Sequence, residues 1–88
     1  MRRDVFQAIA DPTRRNIINI LVRQNLTLNE VAKNFKMSRP AVSKHIRILA
    51  ECGMVSIRQQ GRRRICVANL KHLKNVHDWV NQFQLFWA

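Results

Sequence analysis

The chain has 88 residues, with 16 Lys and Arg against 5 Asp and Glu, which gives a formal net charge of +11. This length suits one domain over residues 1–88, and so basic a chain favours an anionic partner, either nucleic acid or a membrane surface. A membrane-spanning protein is disfavoured because no apolar run approaches ~20 residues. The amphipathic segment after Arg3 argues against a secretory signal.

Residue types that carry chemistry are sparse. Cys52 and Cys66 are too few for a disulfide framework and lack the spacing of a metal pair, so we expect reduced thiols in a cytoplasmic protein. The acidic residues form no carboxylate pair, and the sequence has no Gly-rich phosphate loop. The sequence therefore predicts neither an enzyme nor a bound cofactor.

Capping residues divide the first part of the chain into helices. Residues 2–10 predict a short first helix with Val5, Phe6 and Ile9 on one side. Asp11 as N-cap and Pro12 as first helical residue predict a second helix that reaches about residue 24. The residues that this helix is expected to bury are Ile17, Ile18, Ile20 and Leu21.

A third and a fourth helix follow, separated by a tight turn. Thr27 and Glu30 have the spacing of a capping box, which predicts a short helix ending near residue 36. Ser38 is the predicted N-cap of the fourth helix, with Pro40 in its first turn and Gly53 at its left-handed end. Two helices joined in this way, the second of them basic, indicate a helix-turn-helix. The predicted buried residues of the third helix are Val31, Ala32 and Phe35.

The fourth helix has a wholly cationic face opposite its predicted buried stripe of Val42, Ile46 and Leu49. A solvated helix normally mixes charges of both signs, so this face predicts contact with a polyanion. His45 lies at the border of the stripe and is expected to be a packed, hydrogen-bonded histidine. The predicted major-groove residues are Ser38, Arg39, Ser43, Lys44 and Arg47.

A β-hairpin is predicted after Gly53. Residues 55–57 and 64–67 alternate like strands, and Gly61 in the turn between them can adopt a positive φ. The arginines of this segment have no acidic neighbour in sequence, so we expect a wing that contacts phosphates or the minor groove, together with Lys36. The arginines of the predicted wing are Arg58, Arg62, Arg63 and Arg64, of which the last three are the expected DNA contacts.

The final helix is predicted from about residue 70 to the end of the sequence. Its apolar residues recur at heptad spacing and cover more surface than a small domain can bury by itself. We therefore predict a homodimer that uses the first and last helices; the alternative is that the last helix simply packs on the first helix of its own domain. The predicted interface residues are Val5, Phe6, Ile9, Leu73, Val76, Trp79, Val80, Phe83, Phe86 and Trp87.

The predicted order α-α-α-α-β-β-α describes a mainly α fold with a small β-hairpin (α+β), a winged helix-turn-helix. Residues 11–15 (Asp-Pro-Thr-Arg-Arg) and 37–49 (Met-Ser-Arg-Pro-Ala-Val-Ser-Lys-His-Ile-Arg-Ile-Leu) resemble ArsR/SmtB-type repressors. Gly53-Met54-Val55 and Gly61-Arg62 are similar to the same pattern, so the resemblance covers essentially the whole chain. It implies a prokaryotic winged-helix homodimer that binds double-stranded operator DNA and represses transcription.

The resemblance does not extend to the metal sites that it would imply. The family would place two cysteines in the third helix, before the fourth helix that reads DNA (the recognition helix). Residues 31–35 of this chain read Val-Ala-Lys-Asn-Phe, and none of them can ligate a soft metal. A site on the last helix would pair Asp-x-His with His-x-x-Glu, whereas Val80 stands three residues after His77. His72 and His77 also lie about 140° apart around a helix. We predict no metal site; the chain is similar to single-domain members with a Trp-rich last helix, which implies a plain or auto-regulatory repressor.

Two other functions remain open from the sequence. One is an effector-gated sensor, with a metal or small molecule bound in the dimer interface. The other is a non-specific architectural protein or an RNA-binding protein. RNA binding is disfavoured because no exposed aromatic platform accompanies the basic stretches.

Overall fold

The computed structural model of the protein describes residues 3–88. Within that range the core is built by the helices of the predicted helix-turn-helix and by a small antiparallel sheet. None of the described helices is long and apolar enough to cross a membrane. The elements are α1 (Val5–Ile9), α2 (Pro12–Leu21), β1 (Leu26–Thr27), α3 (Leu28–Ala32), α4 (Arg39–Glu51), β2 (Val55–Gln60), β3 (Arg63–Ala68), α5 (Leu73–Asn81) and α6 (Gln84–Trp87).

Side-chain caps set the starts of the first four helices. Asp11 accepts a hydrogen bond from the Arg14 amide at 3.1 Å, and Ser38 accepts one from the Ala41 amide at 3.3 Å. The predicted capping box of α3 is present in both directions. At α1 the structure differs from the prediction, because Asp4 caps the helix and α1 begins at Val5 instead of residue 2. Position 2 itself lies outside the described residues.

The Asp-Pro-Thr-Arg-Arg block also joins α1 to α2. The guanidinium of Arg14 donates to the carbonyl oxygens of Ala8 at 3.0 Å and Gln7 at 2.9 Å. Arg15 donates to the carbonyl of Ile9 at 2.7 Å. These cations bind carbonyls at the end of a short helix, where Gln7 also accepts the Ala10 amide, so the block fixes both helices together.

Helix α4 ends in a Schellman motif at Gly53. The Met54 amide donates to the Leu49 carbonyl at 2.9 Å, and the Gly53 amide donates to the Ala50 carbonyl at 3.0 Å. Gly53 has a φ of 77°, and a Cβ at this position would lie 3.1 Å from the His72 ring. Both the backbone conformation and the close contact therefore favour glycine here.

The wing is longer than predicted and belongs to a three-stranded sheet in the order β1-β3-β2. Gln59 and Gln60, predicted in the turn, pair with Arg64 and Arg63. This leaves a two-residue loop whose first residue, Gly61, has a φ of 61°. Strand β1 was not predicted, because two residues are too few to show a strand pattern; it pairs Leu26 with Cys66 and Thr27 with Ile65.

The core lies between α1, α2, α3, α4 and the base of the wing. The predicted stripe on α4 is buried, with Val42 and Leu49 at 0% exposure and Ile46 at 4%. On α2, Ile17, Ile18 and Leu21 are buried, while Ile20 is only half-buried. The predicted stripe of α4 is thus confirmed. On α3, Val31 is buried, whereas Ala32 and Phe35 are only half-buried, and Phe35 lies beyond the end of the helix at Ala32 instead of within it.

The last helix differs from the prediction in its bounds. It begins at Leu73, and two turn residues, Gln82 and Phe83, separate α5 from α6. Every residue from 77 to 88 is exposed, so little tertiary packing beyond the contact of Trp79 with Phe6 supports this stretch, and Asn81 is a weak helix former. The heptad seam is therefore interrupted near Phe83.

Candidate nucleic-acid interface

Helix α4 presents its cationic face because its other face is anchored in the core. Burial of Val42, Ile46 and Leu49 fixes the rotation of the helix. Arg39, Lys44 and Arg47 are exposed as a result, and Ser43 between them is half-buried. No acid lies in the first turn, where α4 would meet a phosphate or base edge.

A groove of about 800 Å³ lies between α4 and the wing. Its walls bring together arginines that are far apart in sequence, and its floor includes Ile46, Ala50, Ile57 and Cys66. The arrangement concentrates positive charge along a concave surface, which raises the local potential for a polyanion. The predicted DNA contacts that line this groove are Arg39, Ser43, Arg47, Arg62, Arg63 and Arg64.

The remaining predicted contacts lie outside the groove. Lys36 is exposed in the turn before α4, and Lys44 is exposed on α4 itself. Ser38 accepts the hydrogen bond from the Ala41 amide, so its oxygen already has a structural role as the N-cap. These three residues flank the groove instead of forming its walls.

Two acids approach the cations of the wing and of α4. Glu30 on α3 lies 3.2 Å from Arg63 Nη2, and Glu51 lies 4.0 Å from Arg47 Nε. The backbone and side-chain hydrogen bonds of Thr27, helped by the charge of Arg63, lower the pKa of the Glu30 carboxyl below its usual value of 4.5. Glu30 and Arg63 are 33 residues apart, so sequence spacing gave no signal of this contact.

His45 is packed at the edge of the α4 stripe, with 20% of its side chain exposed. The predicted hydrogen bond is not formed at Nδ1, which within residues 3–88 is buried without a partner. Its nearest acid is Asp11, whose Oδ2 lies 3.9 Å away. Burial raises the pKa of Asp11. The hydrogen bond from the Arg14 amide and the charges of His45 and Arg14 together outweigh this effect, so the pKa of Asp11 lies below its usual value of 3.8.

The two cysteines are buried free thiols. Burial raises the pKa of both Cys52 and Cys66, so each remains a neutral thiol near neutral pH. Across the described part of the chain, no three His, Cys, Asp or Glu side chains are close enough together to hold a metal ion.

An exposed apolar surface, here called the aromatic patch, extends from α1 over α5 and α6. Phe6 and Trp79 pack edge to face at 6.0 Å, and Trp79 and Phe83 do so at 5.3 Å. Leu85, which the heptad pattern missed, is 96% exposed. The patch comprises Phe6, Trp79, Val80, Phe83, Leu85, Phe86 and Trp87.

The other predicted interface residues face their own core. Val5 is 4% exposed and belongs to the buried cluster, so it is not available to a partner. Ile9, Leu73 and Val76 are half-buried against that cluster. On the last helix, the heptad pattern placed Leu73 and Val76 in one stripe with the exposed aromatics, because the spacing does not separate an inner from an outer side.

Comparison with known proteins identifies the family. The sequence profile described as "Bacterial regulatory protein, arsR family" matches residues 11–56, which include α2, α3, α4 and the start of the wing. The chain belongs to the ArsR family. The resemblance of the Asp-Pro-Thr-Arg-Arg and recognition-helix blocks is therefore confirmed, and the protein is a DNA-binding transcriptional regulator, not an enzyme.

Individual ArsR-family proteins match over most of the chain. The transcriptional repressor SdpR of Bacillus subtilis is 32% identical over 91% of this chain and 89% of its own length. The crystal structure of another ArsR family transcriptional regulator superimposes with a TM-score of 0.82 at 39% identity, covering 93% of this chain and 90% of that one.

A more distant structure shows the same fold. It is the homodimeric winged helix-turn-helix DNA-binding domain of a possible ArsR-family regulator from Mycobacterium bovis, with a TM-score of 0.72 at 21% identity. That match covers 92% of this chain and 78% of the domain. The predicted mainly α fold with a small β-hairpin, a winged helix-turn-helix, is confirmed.

Proposed function

We propose that this ArsR-family protein is a homodimeric repressor that binds operator DNA with α4 in the major groove. The observation that carries the proposal is the groove between α4 and the wing, whose walls hold five arginines and no lysine. Arginine presents a planar fork of donors that suits both guanine edges and phosphates. The groove thus offers what a duplex requires: donors for base edges on one wall and donors for backbone on the other.

We divide the roles of the cationic residues by the element that carries them. Arg39, Ser43 and Arg47 lie on a rigid helix anchored in the core, which suits direct contacts to base edges. Ser38 and Lys44 flank them at the major groove. Lys36 before the helix and Arg62 and Arg64 on the wing suit phosphate contacts or a narrow minor groove.

We infer that the aromatic patch is the dimer interface. Phe86 is 85% exposed and Trp87 is 64% exposed, which is unusual for side chains of this size unless a partner covers them. The Mycobacterium bovis domain with this fold is a homodimer, which supports the inference. A two-fold dimer would present its α4 helices to half-sites about one DNA turn apart, roughly 34–36 Å.

Repression follows from occupancy of the operator, since a bound dimer excludes other proteins from the same DNA. The relative SdpR is named as a repressor, which supports this mode over activation. The proposal needs no metal or other cofactor, and we assign the protein to the cytoplasm because its DNA partner is there.

Selection of bound duplexes from a random pool tests the function. The purified protein should enrich a two-fold symmetric site with half-sites about one helical turn apart. Footprinting of the enriched duplex should protect both half-sites on the same face. Enrichment of no common sequence, with equal affinity for all duplexes, would support the architectural alternative instead.

A further inference from the structure

We propose that the ion pair between Glu30 and Arg63 is a latch that sets the position of the wing against the helix-turn-helix. Arg63 is then a positioning residue, and Arg62 and Arg64 are the wing arginines available to phosphates. The inference rests on the proposed DNA interface, and it reassigns one of the arginines that the sequence predicts as a DNA contact.

The sheet explains why a latch is needed at this point. Strand β1 pairs with β3 only at Leu26–Cys66 and Thr27–Ile65. Beyond Ile65 the hairpin continues toward its tip with β2 as its one backbone neighbour in the described sheet. Arg63 lies two residues beyond the last β1 pair, and Glu30 lies one helical turn after Thr27. Their contact therefore continues the attachment of the wing beyond the last backbone pair.

The capping box prepares Glu30 for this contact. A single carboxylate oxygen, Oε1, accepts the Thr27 amide at 2.9 Å and Arg63 Nη2 at 3.2 Å. Surface ion pairs are usually weak because both side chains lose rotamer freedom when they pair. Here the cap already holds the Glu30 side chain, so only Arg63 loses freedom. The pair is half-exposed, with 64% of the Arg63 side chain and 43% of the Glu30 side chain accessible, so we expect a modest effect.

The neighbouring arginines provide the contrast. Arg62 and Arg64 line the same groove, and among the ion pairs of residues 3–88 neither has an acidic partner. The wing tip therefore has one guanidinium paired with a carboxylate and two without an acidic partner, and all three line the groove. A latch of this kind would keep Arg62 and Arg64 at a fixed distance from α4.

The direction in which one substitution changes DNA affinity distinguishes the latch from competition between Glu30 and DNA phosphates for Arg63. If Glu30 only competes with phosphates for Arg63, Glu30→Gln should tighten DNA binding, because it raises the net charge by one and frees a cation. If Glu30 positions the wing, the same change should weaken binding despite the added charge. Gln at this position of a capping box still accepts the Thr27 amide, so the substitution removes the ion pair and keeps the cap.

The test measures affinity for the selected operator and for a mixed-sequence duplex over a salt series. We expect Glu30→Gln and Arg63→Gln each to weaken operator binding about two- to fivefold, and the double variant to be no weaker than either single one. Arg63→Gln should leave the salt slope unchanged. The matched control Arg62→Gln should lower that slope by about one unit for each phosphate that Arg62 neutralises.

Hydrogen exchange of the DNA-free protein gives a second readout. Exchange of the amides of residues 59–64 should become faster in Glu30→Gln and Arg63→Gln but not in Arg62→Gln. Tighter DNA binding by Glu30→Gln, or additive losses in the double variant, overturns the latch. If the wild-type protein binds no duplex, the proposed function fails, while unchanged exchange in both latch variants contradicts the latch by itself.

Discussion

The indole ring of Trp79 lies edge-on to the phenyl ring of Phe6, with centroids 6.0 Å apart and planes at 80°. This contact joins α5 to α1 and leaves 53% of Trp79 and 42% of Phe6 exposed. Phe83 also packs on this indole, with ring centroids 5.3 Å apart. The rings are thus pre-assembled by one protomer into a surface that a second copy can cover without reorganising it.

Replacing Val80 and Phe83 together by Asp should convert the protein to monomers. Two carboxylates would be buried in the proposed interface without partners, which costs several kcal/mol. Light scattering at micromolar concentration should give a dimer for the wild type and a monomer for the variant, which should also bind DNA poorly. Lys74→Asp, on the opposite face of α5 from Trp79 and Val80, is the control and should remain dimeric. A clean monomer mass for the wild type contradicts the proposed assembly.

The two glycines with positive φ should differ in their tolerance of alanine. At Gly61, with φ 61°, a Cβ meets open space, so Gly61→Ala should cost about 1 kcal/mol of conformational strain. At Gly53 the same strain is joined by the 3.1 Å contact with His72, so Gly53→Ala should cost more. Urea unfolding at one protein concentration measures the loss of unfolding free energy in each variant. Equal losses would show that the His72 ring moves away from the added Cβ at no cost.

Acid should remove the stabilisation that the Glu30 carboxylate provides. The hydrogen bonds from Thr27 and the charge of Arg63 lower the pKa of this group in the folded state, so its ionised form stabilises the fold. This contribution to stability is fully present above pH 4.5, the usual pKa of the group, and is lost as the pH falls through the lowered pKa of the folded state. Wild type should exceed Glu30→Gln in free energy of unfolding near pH 7, and the difference should vanish in acid. A difference independent of pH contradicts this origin.

Metal ions should not release the protein from its operator. The described residues provide no cluster of three candidate ligands, and the cysteines are buried thiols with raised pKa values. A titration of the complex with zinc, cadmium or arsenite at micromolar concentration should leave the bound fraction unchanged. Stoichiometric release by any of them would support the effector-gated alternative and direct attention to His72, His77 and Cys66.

Local signals in the sequence predicted the helix-turn-helix well, whereas contacts between distant segments left no local signal. The caps at Asp11, Thr27 and Ser38 act within three residues, so their spacing alone sets the helix starts. Strand β1 and the Glu30–Arg63 pair depend on segments more than thirty residues apart. The division of apolar residues between core and surface, as at Val5, depends on which neighbour covers each side.

The groove between α4 and the wing is tested most directly by a salt series on operator and scrambled duplexes with Arg39→Ala and Arg62→Ala. Arg39 on the rigid recognition helix suits bidentate contact with guanine, so its loss should cost ~1–3 kcal/mol on the operator and much less on scrambled DNA. Removal of Arg62 from the wing should weaken binding to both duplexes nearly alike and lower the salt slope by about one unit for each phosphate that this arginine neutralises. If the two variants exchange these behaviours, the assignment is reversed. If neither variant changes DNA binding, the proposed docking of α4 and the wing on DNA is wrong.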